Sequence, residues 1–197
     1  WDYQTHARIV KVATDLIFKF HLDRPVVRDL AAVWKYEAFT KALLKGLRDA
    51  DYQYRFTGFA YKYHFYHPVL RRNYMGFGEN AVTMGAKHMD KAITAGNEIF
   101  RLIKHGIRPT DAQLEACGYD LGVASHFITD LTQPMHASNF ANVFGDQFPR
   151  MNLLDWRHSG LEKETERLVV KEKYLDDAPV FDFEKFNPRG YTGSGIL

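Results

Sequence analysis

The stretch that most limits what this chain can fold into runs from Gly122 to Asn142, GVASHFITDLTQPMHASNFAN. As far as Thr132 its apolar residues Val123, Phe127, Ile128 and Leu131 recur at helical spacing, and the same period places His126 and Asp130, four residues apart, on one face. An imidazole and a carboxylate are thereby neighbours. Pro134 disfavours helix at Gln133, so the chain is expected to turn there and bring His136 back from another direction. Three candidate metal ligands then lie within eleven residues. A lone His/Asp pair at this spacing is more often a surface ion pair or a hydrogen-bonded core histidine, so the metal reading depends on ligands from elsewhere.

The surrounding chain is patterned for helices. An apolar stripe of Ile9, Val10, Val12, Ala13, Leu16 and Ile17 predicts a helix over 5–20 that carries His6 near its start. Asp23 and Pro25 open a second, expected to run through Leu30, Val33, Trp34, Ala38, Leu43, Leu44 and Leu47 and to end near Asp49 to Asp51. An irregular, aromatic-rich loop follows over 52–68. A third helix over 79–104 is expected to bury Val82, Met84, Met89, Ile93, Ile99, Leu102 and Ile103, and to close at His105 and Gly106. Thr110 and Gln113 form a capping box that opens a fourth helix, 111–132. A fifth is predicted over 153–174, where His158 and Glu162 repeat the four-residue spacing of His126 and Asp130.

Beyond Asp176 the chain reads as irregular, with Pro179, Pro188, Gly190, Gly193 and Gly195. The pattern predicts an all-α fold: one compact multi-helix domain over 1–175 and an irregular C-terminal segment over 176–197. A hydrophobic content of 46% and 25% charged residues describe an ordered domain, and a formal charge of +2 does not argue for nucleic acid. One cysteine, Cys117, excludes an internal disulfide and a thiolate metal site, and is expected to be a small buried hydrophobe. No apolar run approaches the length of a membrane span. The first residue is Trp1 rather than Met, which predicts a trimmed chain or a cleaved leader that frees the Trp1 amine.

Of nine histidines, His6, His64, His126, His136 and His158 fall where ligation is plausible, accompanied by Asp51, Asp130 and Glu162. Imidazole and carboxylate are ligands that zinc accepts. His21, His67, His88 and His105 are expected at the surface or at helix caps. Two separate His/acid pairs imply two facing helices that bear ligands.

These residues carry a resemblance to the zinc-dependent phospholipase C family and its wider relatives, the single-strand nucleases of the P1/S1 type. It rests on Trp1, on His6 in HARIVKVATDL, on Asp51 in ADY, on His64 in HFYHP, on His126, Asp130 and His136 in the central motif, and on His158 and Glu162 in HSGLE. The resemblance implies a buried cluster of three zinc ions (Zn2+). One would be held by Asp51, His64, His126 and Asp130. A second would take the Trp1 amine and carbonyl with His6, sharing Asp130. A third would be held by His136, His158 and Glu162. Three divalent ions against three ligating carboxylates leave a positive site for a phosphodiester. Such ions render a water acidic enough to attack phosphorus near neutral pH, with Asp51 as the catalytic group that orients it or takes its proton.

Within the family, QPMHASNFAN reads as the lipase branch. The nucleases carry an acidic residue where this chain has Ala137, and usually hold disulfides; the short Trp1 to His6 spacing is nuclease-like. The resemblance therefore implies a secreted zinc-dependent phospholipase C, extracellular or periplasmic after its signal peptide is removed. It would contact the membrane surface peripherally and hydrolyse glycerophospholipids to diacylglycerol and a phosphorylated head group. Tyr52 and Tyr61 match the aromatic positions that bind the head group, while choline and ethanolamine stay open because the segment bearing the acidic partner is shortened here. The alternatives are a P1/S1-like single-strand nuclease and a non-catalytic helical binding module stabilised by metal. Family members continue for several helices after the last glutamate, whereas 35 residues follow Glu162.

Overall fold

A computed structural model describes residues 3–53, 60–137 and 160–168. Its order is α1 (Tyr3–His21), α2 (Pro25–Trp34), α3 (Glu37–Gln53), a 3-10 turn η1 (Ala60–His64), α4 (Ala81–Lys104), α5 (Asp111–Asp130) and α6 (Pro134–Ala137). Residues 160–166 are also helical. The architecture is all-α, and the only extended pairing among the described residues is one isolated bridge between His67 and Arg72.

The ends of the helices follow local chemistry. At the start of α4 the Asn80 side chain accepts from the backbone N–H groups of Val82 and Thr83 at 3.0 and 3.2 Å, while the Thr83 hydroxyl accepts from Asn80 N–H. At the start of α5 the predicted capping box is present: Gln113 N–H donates to Thr110 Oγ1, and Thr110 N–H to Gln113 Oε1. Gly106, at φ +71°, closes α4, and Ile107 N–H returns to the Leu102 carbonyl.

The helix expected to run unbroken from Pro25 into the 40s is two helices. Tyr36 leaves the helical path, its N–H bonding back to Val33, and Trp34 then lies edge-on to both Phe18 and Phe39. The bend turns two short apolar stripes towards one core of Val33, Phe39, Leu43, Leu47, Ile99, Leu114 and Cys117.

α3 and α5 approach so closely that backbone meets backbone. A Cβ added at Gly122 would overlap the Leu43 carbonyl oxygen and sit 2.9 Å from Leu47 N. One at Gly118 would overlap the Phe39 carbonyl oxygen, and one at Gly46 that of Tyr119. Three glycines, with no side chain at the crossing, let the axes close. This contact places Asp51, near the end of α3, opposite His126 and Asp130 near the end of α5.

Small residues also set the buried face of α4. That face is Ala81, Met84, Gly85, His88, Ala92, Gly96 and Ile99, while Val82 and Ile93, expected inside, are 40% and 52% exposed. His88, expected at the surface, is on this buried face, where its Nδ1 lies 2.7 Å from Asp120 of α5. Close helix packing selects the glycine and alanine positions, and His88 shares their period. Cys117 is buried as expected, and burial pushes its thiol up to about 11.

Candidate metal centre

Asp130 is the hub. It has no exposure to solvent, and four imidazoles surround it: His64 Nδ1 at 2.8 Å, His126 Nε2 at 3.3 Å, His136 Nδ1 at 3.3 Å and His6 Nε2 at 3.4 Å. α5 supplies His126 by the i, i+4 spacing, α1 supplies His6, and η1 supplies His64. The turn after α5 supplies His136. As expected, Gln133 is non-helical before Pro134, and α6 begins at once and swings His136 inwards.

Hydrogen bonds set which ring nitrogen faces the centre. His126 Nδ1–H donates to the Leu47 carbonyl at 2.9 Å, and His136 Nδ1–H to the His64 carbonyl at 2.9 Å. Each Nε2 is left as the lone-pair atom. The Thr129 hydroxyl gives its hydrogen to the carbonyls of Ser125 and His126, at 2.8 and 2.9 Å, so its oxygen accepts from His6 Nδ1–H at 2.5 Å. His6 Nε2 is thereby a buried acceptor with no hydrogen-bond partner, an arrangement that costs stability unless something electropositive meets it.

Among the described residues, two groups are close enough to hold an ion: His64, His126 and Asp130, and His6, Asp51 and His126. In the first, the His64 Nδ1 to His126 Nε2 separation is 3.2 Å, close to the spacing of about 3.3 Å between ligands on a tetrahedral cation with bonds of about 2.0–2.1 Å. Asp51 stands 3.7 Å from His126 Nε2, with its side chain 34% exposed. On the far side of Asp130, His136 Nε2 lies 3.4 Å from Glu162 Oε1. The residues present fit divalent cations: all are imidazole or carboxylate, and they cluster around the buried Asp130 carboxylate beside the lone pair of His6 Nε2.

The charges are coupled. Burial favours a neutral Asp130, but the surrounding positive charge, that of His136 foremost and the chain's amino terminus next, outweighs it and holds the carboxyl well below the usual range. Burial pulls His126 and His136 down, and the Asp130 carboxylate overcomes this and raises both. His6 and His64 are lowered, chiefly by burial, and for His6 also by the charge of His126. Asp51 is raised by burial.

Of the predicted ligands, His6, Asp51, His64, His126, Asp130, His136 and Glu162 come together. Trp1 and His158 lie outside the described residues, as do the side chains of Tyr52 and Tyr61. Sequence reading missed two residues that support the centre. Thr129 orients His6, and Gln133, fully buried, accepts from His136 N–H at 3.0 Å while its amide lies 3.4 Å from Glu162. The available signal was position: both stand within three residues of a ligand in TDLTQPMH.

Three known proteins match the chain. A phospholipase C of Listeria monocytogenes is 28% identical over 145 residues, 72% of this chain and 44% of the relative. Two phospholipases C of Bacillus cereus are 29% and 28% identical over 157 residues, 79% of this chain and 48% of each relative. The chain thus spans less than half the length of these relatives. No family model matches it.

Proposed function

This chain is a sequence relative of the bacterial phospholipases C, and from that premise we propose that it is a zinc-dependent hydrolase of glycerophospholipids, releasing diacylglycerol and a phosphorylated head group. The observation that carries the proposal is the gathering of four imidazoles around the buried Asp130 carboxylate, with His6 Nε2 3.4 Å from it and making no hydrogen bond among the described residues. Asp51, His64, His126 and Asp130 would hold one ion. His6 and Asp130, with the Trp1 amine and carbonyl, would hold a second, and His136, Glu162 and His158 a third. Bound zinc would polarise the phosphoryl oxygens and lower the pKa of water towards ~7.

The chain's own groups supply the rest. Asp51 is partly open to solvent and its basicity is raised by burial, which suits it to orient the attacking water and accept its proton. Water attacks phosphorus, the bond to the glycerol oxygen breaks, and that oxygen takes a proton as diacylglycerol leaves. Tyr52 and Tyr61 would line the ammonium of the head group. An enzyme of this reading acts outside the cytoplasm. Among the described residues no helix is long and apolar enough to cross a membrane.

Phosphatidylcholine, phosphatidylethanolamine and single-stranded DNA, each offered before chelation, after it and after zinc return, test the proposal. Lipid turnover that disappears on chelation and returns with zinc is expected. Cleavage of DNA alone would make the protein a nuclease, and loss of fold on chelation with no turnover beforehand would make it a metal-stabilised binding module.

Two further results follow from the site. Thr129→Val keeps the shape of the side chain but removes the acceptor for His6 Nδ1–H, so zinc affinity should fall roughly 10–100-fold in competition with a chelator. Zinc binding should also release protons. Asp130 raises His126 and His136, which favours their protonated forms, and a proton on the ligating nitrogen must leave before zinc binds. Calorimetry in buffers of different ionisation enthalpy should register a release that shrinks as pH rises past the raised imidazole range; a release independent of pH would contradict the coupling.

A further inference from the structure

Among the described residues, large apolar side chains left in water include Ile17, Leu44 and Ile93 on the helices and a group on one connection. Between η1 and α4, Val69 is 76% exposed, Leu70 52% and Phe77 56%. The same connection carries Arg71 and Arg72, both exposed.

These side chains are held out by two built turns. His67 N–H donates to the Arg72 carbonyl at 2.9 Å, and Arg71 N–H to the His67 carbonyl at 2.7 Å, so Val69 and Leu70 form the tip of a closed turn. Arg71 completes it at φ +52°, a left-handed conformation that few residues with side chains adopt. The second turn is organised by Asn73, itself 1% exposed. Its amide donates to the carbonyls of Phe77 and Glu79 at 2.9 and 2.8 Å, and its oxygen accepts from the N–H groups of Met75 and Gly76. The Lys62 ammonium lies 4.3 Å from the centre of the Phe77 ring. Rigid turns that present Val, Leu and Phe to water lose apolar burial which a flexible loop could recover by folding inwards.

The connection is also bolted to the metal centre. Tyr66 N–H donates to the His136 carbonyl at 3.1 Å, and Phe65 stacks on the His136 ring with centroids 4.5 Å apart. His64 stands three residues before the first turn. We propose that this connection, residues 65–80, seats the protein on an anionic lipid surface: Val69, Leu70 and Phe77 enter the acyl boundary, and Arg71 and Arg72 meet the lipid phosphates. Charge selects the occupant, because the connection carries two arginines against one acid, Glu79, and that acid faces Lys87 at 3.9 Å. The inference rests on the phospholipase reading for its biological sense, while its test does not.

The experiment uses the full chain with vesicles of phosphatidylcholine, alone and with phosphatidylserine added. Flotation should show binding that is stronger on the anionic vesicles and weakens with salt. Val69→Asp with Leu70→Asp should lower the partition coefficient about tenfold or more. Arg71→Asn, which suits the left-handed backbone, should lower it about fivefold on anionic vesicles and leave neutral ones unchanged. Turnover of vesicle lipid should fall in parallel, whereas turnover of a soluble short-chain phosphatidylcholine should not change. Variants that bind and turn over vesicles like the parent protein, or a parent that binds neither vesicle, would overturn the inference. So would a parent dimer that the double substitution dissociates with vesicle binding intact, since a second copy would then be the occupant. Absence of turnover of short-chain phosphatidylcholine and phosphatidylethanolamine in every protein, with flotation still lost in the double variant, would sink the phospholipase reading and leave the lipid-seating turns standing.

Discussion

Asp130→Asn should abolish lipid turnover, with a loss on the order of a thousandfold or more, and should lower the number of zinc ions retained after dialysis. The substitution keeps the size of the side chain and removes one charge. That charge is the feature the site is built on, because four imidazoles lie within 3.4 Å of the carboxylate. Without it, burial is opposed only by Asp51 at His126 and by Glu162 at His136 among the carboxylates named for these rings, and their raised basicity should fall. Proton release on zinc binding should fall with it, which gives a readout that does not depend on turnover. His105→Asn, at the C-cap of α4, should leave turnover and metal content unchanged. Equal effects of the two substitutions would undo the assignment of Asp130 as the shared ligand.

Gly122→Ala should be as damaging to the fold as Asp130→Asn is to the chemistry. A methyl group there meets the Leu43 carbonyl oxygen, with Leu43 C and Leu47 N also at 2.9 Å. All of these are backbone atoms, which cannot rotate aside, so the helices must separate. Overpacking costs roughly 1–3 kcal/mol and sometimes more, and this site should lie at the upper end. For a chain of this size that corresponds to a fall in Tm of about 6–12 °C. Because α3 carries Asp51 and α5 carries His126, zinc affinity should weaken in the same variant. Gly96→Ala is the matched control: its Cβ would meet only Cys117 Sγ, at an ordinary 3.7 Å, and better helix propensity should raise stability by up to about 1 kcal/mol. Thermal unfolding followed by circular dichroism separates the two, and similar midpoints would mean that α3 and α5 do not cross this closely.

The amino-acid order alone determined what depends on near neighbours. Helical periods, the Thr110 and Gln113 box, the turn before Pro134 and the shared face of His126 and Asp130 all follow from backbone geometry over a few residues. The candidate ligand types were legible from the residues, since imidazole and carboxylate already limit the chemistry, while the fuller candidate set came from the family resemblance. Tertiary structure decided what depends on residues far apart in the chain. It broke the second helix at Tyr36, turned Val82 and Ile93 outwards, and drew His88 onto Asp120. It also made Asp130 the common neighbour of histidines from four places, and recruited Thr129 and Gln133 to orient them. The reason is that a crossing between helices is set by the side chains missing from it. Gly46, Gly118 and Gly122 leave no periodic apolar signal, yet they fix how near α3 comes to α5 and so where every ligand on those helices points.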